Sequence, residues 1–392
     1  MKKNGYILAL ILMMVCHAAS ARNNAVEHSV GVNVRPSYIM PTHGFYNGYN
    51  PLGKPLRTGG SAHLNYAFSY SLESAVGKMY PGAYQGIGIG VQTFQAHDAL
   101  GTPASIYLFQ GAPFARLHDR LSLDYEWNLG LSAGWKPNEY LLTGSRLNIY
   151  INVGVFLRWR LSKLWDVQIG PEYTHYSNGD TTFPNGGANT INFRLGTRMC
   201  FGRDNLSDVR PMLFLCDDKE DDFADRVTYD LTAFGAWRAD RMVIGYDLHI
   251  INQPFLIAGL QLNPLYHLNQ SLSFGPSIDI MYDRSANLQV SVNDDKMLSY
   301  SYPSFMSQIA AGVSARGELR MPIFAVNFGA GYNFSYPGSD LTGLYAIFML
   351  KAFMNDHLYL NIGYRLSSVL YSHNLMFGLG WRFYNKCIAP NK

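Results

Sequence analysis

The chain has 392 residues, 48% of them hydrophobic and 15% charged, with a formal net charge of +3, too small to imply a nucleic-acid partner. After the first residues, no stretch approaches the roughly 20 continuous apolar residues of a membrane helix. The 27 Tyr, 22 Phe and 6 Trp with so few charges suit a transmembrane β-barrel, which hides its hydrophobicity by alternation; a soluble β-sandwich or repeat protein is the rival class.

The N-terminus sets the compartment. Lys2 and Lys3 form a basic start, residues 6–15 an apolar segment too short to span a bilayer, and Ala19-Ser20-Ala21 a small-residue cleavage site. These read as a secretory signal peptide over 1–21, cut before Arg22. Cys16 sits in a poor lipoprotein box, so simple cleavage is expected. Its removal leaves Cys200, Cys216 and Cys387, an odd number that gives no disulfide framework, with a Cys200–Cys216 bridge as one open pairing. None has the paired spacing of a zinc site.

Eight strands are predicted in the first half, near 28–40, 60–72, 83–95, 103–112, 119–134, 145–160, 163–177 and 188–202. Most reach the 9–11 residues of a transmembrane strand. Gly86, Gly88 and Gly90 lie in the third with a strict period of two. Without a following helix they do not read as a nucleotide loop, but as small residues lining a narrow barrel interior. In 147–160 the odd positions are apolar and the even ones carry Asn148, Tyr150, Asn152, Gly154, Phe156, Arg158 and Arg160. In the next strand Trp165, Val167, Ile169, Pro171 and Tyr173 share one face, and Asp166, Gln168, Gly170, Glu172 and Thr174 the other.

Residues 205–226 break the pattern with an acidic run, 217–222, which reads as a solvated linker without calcium-loop spacing. Strands then resume to Phe383. The last places Leu375, Phe377, Leu379, Trp381 and Phe383 on one face and is similar to the aromatic-ended final strand by which outer-membrane barrels are recognised, although nine residues follow it. Residues 164–170 align with 357–363, and 193–196 with 377–380, a weak tandem duplication. The expected organisation is a leader at 1–21, a catalytic barrel repeat at 22–204, a linker at 205–225 and a second, degenerate repeat at 226–392. This all-β chain would form two eight-stranded antiparallel barrels in series or one larger barrel.

One segment departs from ordinary barrel composition: Thr174-His175-Tyr176-Ser177-Asn178-Gly179-Asp180, followed by Phe183-Pro184-Asn185-Gly186-Gly187-Ala188-Asn189. Alternation puts His175 and Ser177 on the lipid face, side by side, where an imidazole can reach a hydroxyl. Such a pair is tolerated near the interface, and Tyr173 marks the aromatic belt there. Even-stranded barrels keep their termini in the periplasm, so a seventh strand ends at the cell surface, against the outer leaflet. A lone His-x-Ser is usually decoration and an Asn-Gly loop usually a hairpin.

The full run resembles the signature of the PagL-type lipid A 3-O-deacylases, also called acyloxyacyl hydrolase-like outer-membrane proteins, over the first half of the chain. That family has a His-x-Ser-Asn run followed by Pro-Asn and a Gly, on an eight-stranded barrel. The resemblance implies Ser177 as nucleophile, His175 as general base, Asn178 as the motif's own Asn and Asn185 at the oxyanion position. The family's Glu falls on Asn189, which can orient an imidazole but cannot stabilise its charge; Asp180 is the other candidate for that place. Glu172 has the wrong parity and is expected to pair with Arg194 inside the barrel. In the second copy Ser368 and Leu370 replace the pair, so that copy is expected to be inert. The implied function is hydrolysis of an acyl ester of lipid A without metal or cofactor. The alternative is a non-enzymatic channel or structural barrel with a decayed site. No G-x-S-x-G elbow, H-E-x-x-H or G-K-[ST] loop occurs in the sequence.

Overall fold

The computed structural model describes residues 26–137, 142–203, 226–244, 247–292, 298–335, 341–367 and 374–384. The leader with Cys16, the acidic run, Cys216, Ser368, Leu370 and Cys387 lie outside the described residues. The chain divides into two units: Met1–Asn178 with Pro184–Leu213, and Gly179–Phe183 with Phe214–Lys392.

In the first unit eight antiparallel strands form a closed barrel: β1 (Val26–Ile39), β2 (Thr58–Tyr70), β3 (Tyr84–Thr93), β4 (Gly101–His118), β5 (Leu121–Trp135), β6 (Leu147–Arg160), β7 (Trp165–Ser177) and β8 (Ala188–Phe201). Pairing of β1 with β8, from His28↔Phe201 to Ile39↔Thr190, closes the sheet and leaves no edge strand. The alternation read from the sequence is the alternation of burial. On β6, Val153 and Trp159 are more than half exposed, whereas Asn152, Phe156 and Arg158 are buried. On β7 the apolar face points outward and Asp166, Gln168, Glu172 and Thr174 point inward.

An eight-stranded barrel is just wide enough for side chains to fill it. Buried charges must then meet partners at once, because an unpaired charge in a low-dielectric interior costs several kcal/mol. Glu172 receives Arg35 (2.9 Å) and Arg194 (2.5 Å), and Arg194 also reaches Glu126. Asp124 takes Arg158 at 3.0 Å. Glu172 and Arg194 therefore pair in the interior, as strand parity requires. The glycines of β3 make room for bulk from neighbouring strands: a Cβ at Gly88 would lie 2.4 Å from the Tyr107 ring, and one at Gly90 would lie 2.3 Å from His63 Nδ1. Cys200 is a buried free thiol.

The connections at one rim of this barrel are 40–57, 94–100, 136–146 and 178–187; those at the other are 71–83, 119–120 and 161–164. Just inside the first rim, Tyr176 packs its ring against Trp135 (5.1 Å), Tyr150 (5.4 Å) and Phe94 (6.1 Å). This aromatic plug anchors the end of β7 from within.

The second unit contains a second closed barrel: β9 (Val227–Ile244), β10 (Asp247–His267), β11 (Leu272–Asp283), β14 (Ile309–Arg320), β15 (Phe324–Ser335), β16 (Gly343–Phe353), β17 (Leu358–Ser367) and β18 (Asn374–Tyr384). The small hairpin β12 (Gln289–Val292) and β13 (Leu298–Ser301) forms a separate two-stranded sheet, with Tyr300 packed on Phe255 of β10. Two barrels, not one larger one, are formed, and the aligned stretches 164–170 and 357–363 run along the seventh strand of each. Inside the second barrel Lys351 bridges Asp230 (2.6 Å) and Glu318 (2.5 Å), and Arg382 bridges the same two carboxylates (2.6 and 2.5 Å), all fully buried.

Candidate active site

His175 and Ser177 occupy the outward face at the end of β7. Their neighbours follow from the register. His175 stands opposite Asn189 of β8 and Ile151 of β6, and Ser177 stands opposite Ile149. The parity read from the sequence holds. Ser177 is nevertheless buried, at 9% exposure, with the side chain of Asn185 against it.

Asn189 accepts the contact assigned to the family's acid. Its Oδ1 lies 2.7 Å from His175 Nδ1 and 2.6 Å from the Tyr173 hydroxyl, while its Nδ2 donates to Thr42 Oγ1 at 3.0 Å. With the oxygen facing the imidazole, Nδ1 carries the proton and Nε2 keeps its lone pair, the tautomer a general base requires. Asp180, the other candidate, belongs to the second unit, adopts a left-handed φ of 61° and receives the Tyr364 hydroxyl at 3.4 Å.

The return segment is folded by its own asparagines. The backbone N–H of Asn178 donates to Asn185 Oδ1 at 3.0 Å, and Asn178 Nδ2 donates to the Pro184 carbonyl at 3.2 Å. With its oxygen thus engaged, Asn185 turns Nδ2 to Ser177 Oγ, 3.1 Å away. The segment is held from the side by residues 142–144: Gly144 N–H donates to the Pro184 carbonyl (2.7 Å) and Gly186 N–H to the Leu142 carbonyl (2.8 Å). Gly187, at φ 65°, uses the left-handed region that glycine adopts without strain.

Three residues that sequence reasoning did not assign to the site support it. Tyr173 was read only as an interfacial aromatic, yet it shares the Asn189 oxygen with the imidazole. Thr42 follows β1, and barrel closure brings it to β8, where Met40 N–H donates to the Asn189 carbonyl at 2.9 Å. Tyr46, in the short helix Gly44–Asn47, donates to the Gly187 carbonyl at 3.2 Å. His43 caps that helix by accepting the Phe45 N–H at 3.1 Å, and burial holds its imidazole below the ordinary pKa. No local signal marks Thr42 or Tyr46, which lie more than 140 positions from their partners. Among the described residues no group of His, Cys, Asp and Glu has the arrangement of a metal site.

Two family models match the chain. One, described as lipid A 3-O-deacylase (PagL), covers residues 125–198, and the other, described as acyloxyacyl hydrolase, C-terminal domain, covers 227–386. Each barrel thus carries a match to a lipid A deacylase or acyloxyacyl hydrolase model. The first match contains all five motif residues but leaves out β1 to β4, and the second half carries a match of its own. The resemblance is therefore not confined to the first half. No curated protein matches the chain. Among solved structures, it is similar to Neisserial surface protein A (10% identity, 46% of this chain and 98% of that one, TM-score 0.28). It is also matched with an outer membrane channel from Pseudomonas putida F1 (10% identity, 93% and 97%, TM-score 0.19). The family and the closed barrels with apolar outer faces make this a lipid A deacylase-like protein of the outer membrane.

Proposed function

We propose that the first barrel hydrolyses an acyl ester of lipid A with Ser177 as nucleophile and His175 as base. The observation that carries this is a pair of contacts at the end of β7: Asn189 on His175 Nδ1, and Asn185 on Ser177 Oγ. Ser177 Oγ attacks the ester carbonyl carbon as His175 Nε2 takes its proton. Asn185 Nδ2, now 3.1 Å from the hydroxyl, moves its hydrogen bond to the carbonyl oxygen as that oxygen becomes an oxyanion. Collapse breaks the ester bond, and the departing sugar alkoxide takes the proton from His175. Water then attacks the acyl-serine, again giving its proton to His175, and the fatty acid leaves as Ser177 is reprotonated. Asn189 is the orienting residue and Asn178 a positioning residue for Asn185.

This reading puts the rim of β7 at the cell surface, facing the outer leaflet. Longer connections generally mark the outer side of such barrels, and all four at this rim exceed the turns 119–120 and 161–164 opposite, although the third opposite connection, 71–83, is longer than three of them. The leader at 1–21, the catalytic repeat at 22–204, the linker at 205–225 and an inert second repeat at 226–392 belong to the same proposal. The channel alternative is disfavoured by interiors crossed with buried ion pairs, and its support is the amide at position 189 together with the second copy's lack of the His-Ser pair. The test is fatty-acid release from purified lipid A in detergent micelles by the wild type and Ser177→Ala. Release by the wild type alone supports the proposal, and equal release by both ends it.

A further inference from the structure

A cleft of about 1120 Å³ opens on the first barrel beside β5 and β6, lined by Pro51, Ala99, Trp135, Lys136, Arg146 and Leu147. It lies close to Ser177 by register. Leu147 pairs with Ala133, and two residues further along β6 Ile149 pairs with Ser177. Strand spacings of about 4.8 Å across and 3.4 Å along then put the Leu147 and Ser177 backbones roughly 8 Å apart. The same short strip serves both places. Leu142 and Gly144 hold Pro184 and Gly186 beside the serine, and Arg146 and Leu147 form the cleft wall.

The cleft has an apolar floor with a cationic margin. Leu147 is 50% exposed on the outward face, where an acyl chain would lie, whereas Trp135 closes the bottom, its Nε1 engaged by Ser132 at 3.0 Å. Lys136 and Arg146 are both exposed, and among the described residues the cleft lining has one carboxylate, Asp98. Lys136 Nζ lies 3.4 Å from the Asp98 backbone carbonyl, which holds it over the opening. Among the described lining residues the balance is one net positive charge above a greasy floor, next to a serine assigned to an ester bond. That combination suits an amphiphile with an anionic head and acyl chains, and it suits neither a neutral lipid nor a soluble anion.

We infer that this cleft is the headgroup subsite of the hydrolase, in which Lys136 and Arg146 bind a phosphate on the sugar of the substrate glycolipid while Leu147 and Pro51 receive an acyl chain. The inference rests on the ester-hydrolase reading and adds which side of Ser177 the headgroup occupies and what recognises it. Guanidinium and ammonium groups bind phosphate by charge-assisted hydrogen bonds, the Arg in bidentate fashion.

The experiment compares lipid A carrying its phosphates with the same lipid A after phosphatase treatment, using full-length protein in detergent micelles. The readout is the ratio of kcat/KM for the two substrates, in wild type and in a Lys136→Ala/Arg146→Ala double variant. The wild type should prefer the phosphorylated substrate by about tenfold or more, and the ratio should fall towards one in the double variant. An unchanged ratio overturns the subsite, including the case in which a folding defect lowers both rates equally. A second arm does not need turnover. Ser177→Ala protein should bind phosphorylated lipid A micelles about tenfold more tightly than dephosphorylated ones, and adding Lys136→Ala/Arg146→Ala should remove that preference. Equal binding of both lipids by Ser177→Ala overturns the subsite. If the wild type releases no fatty acid but the binding preference holds and is lost with the two cations, the hydrolase reading fails while the phosphate subsite stands.

Discussion

Asn189 is the residue proposed to orient the base, and replacing it with Asp is the sharpest perturbation of the site. Asp is the same size as Asn, so its Oδ1 keeps the 2.7 Å contact to His175 Nδ1 and the 2.6 Å contact to Tyr173. The lost Nδ2 bond to Thr42 Oγ1 is recovered if the threonine hydroxyl rotates to donate instead. A hydrogen bond to a charged group contributes about 1.5–3 kcal/mol and a neutral one about 0.5–1.5 kcal/mol. The gain appears only when the imidazole is protonated, in the transition state, so it lowers the barrier by roughly 1–1.5 kcal/mol. That corresponds to about a tenfold rise in kcat. Asn189→Ala should act in the other direction, by about a hundredfold, because the ring loses its tautomer and its orientation together. The assay is steady-state fatty-acid release from lipid A micelles at neutral pH, where an Asp of ordinary pKa near 3.9 is ionised. Wild-type rates in both variants would refute the argument that position 189 orients the base.

Three further outcomes follow from the same contacts. Asn185→Ala removes the donor aimed at Ser177 Oγ and should lower kcat by about a hundredfold with little change in KM, measured by the same assay. Gly88→Ala would place a methyl group 2.4 Å from the Tyr107 ring in a filled interior. It should lower stability by about 1–3 kcal/mol in urea unfolding from micelles, and an unchanged midpoint would mean that β3 and β4 can separate freely. In the second barrel, Glu318→Gln leaves Lys351 and Arg382 sharing Asp230 alone. A loss of about 3 kcal/mol is expected in the same measurement, against almost none for an exposed pair such as Arg116–Asp119.

The barrel was legible in the sequence because a strand with lipid on one side and a packed interior on the other must alternate at every residue. That constraint is strict in 147–160 and 165–174, and it located all eight strands of the first barrel. The serine, the histidine and the two asparagines of the loop were legible because they lie within fifteen positions of one another. Position 189 could be placed opposite His175 by resemblance, and the register of β7 with β8 supplies the geometric reason. Thr42 and Tyr46 were not legible, because only barrel closure and the packing of the 40–57 connection bring them to β8. The burial of Ser177 was also hidden, since it comes from a loop folding back and not from strand parity. The short helices Gly44–Asn47, Ala75–Met79 and His97–Leu100 carry too few residues for any periodic signal.

Mass spectrometry of lipid A extracted from cells that express the wild-type chain or Ser177→Ala is the most direct measurement. Activation of Ser177 on the outward rim predicts a mass decrease equal to one hydroxy-acyl chain with the wild type and an unaltered spectrum with the variant, at equal amounts of folded barrel in the membrane. An identical spectrum in the two strains, whether trimmed in both or intact in both, would contradict it.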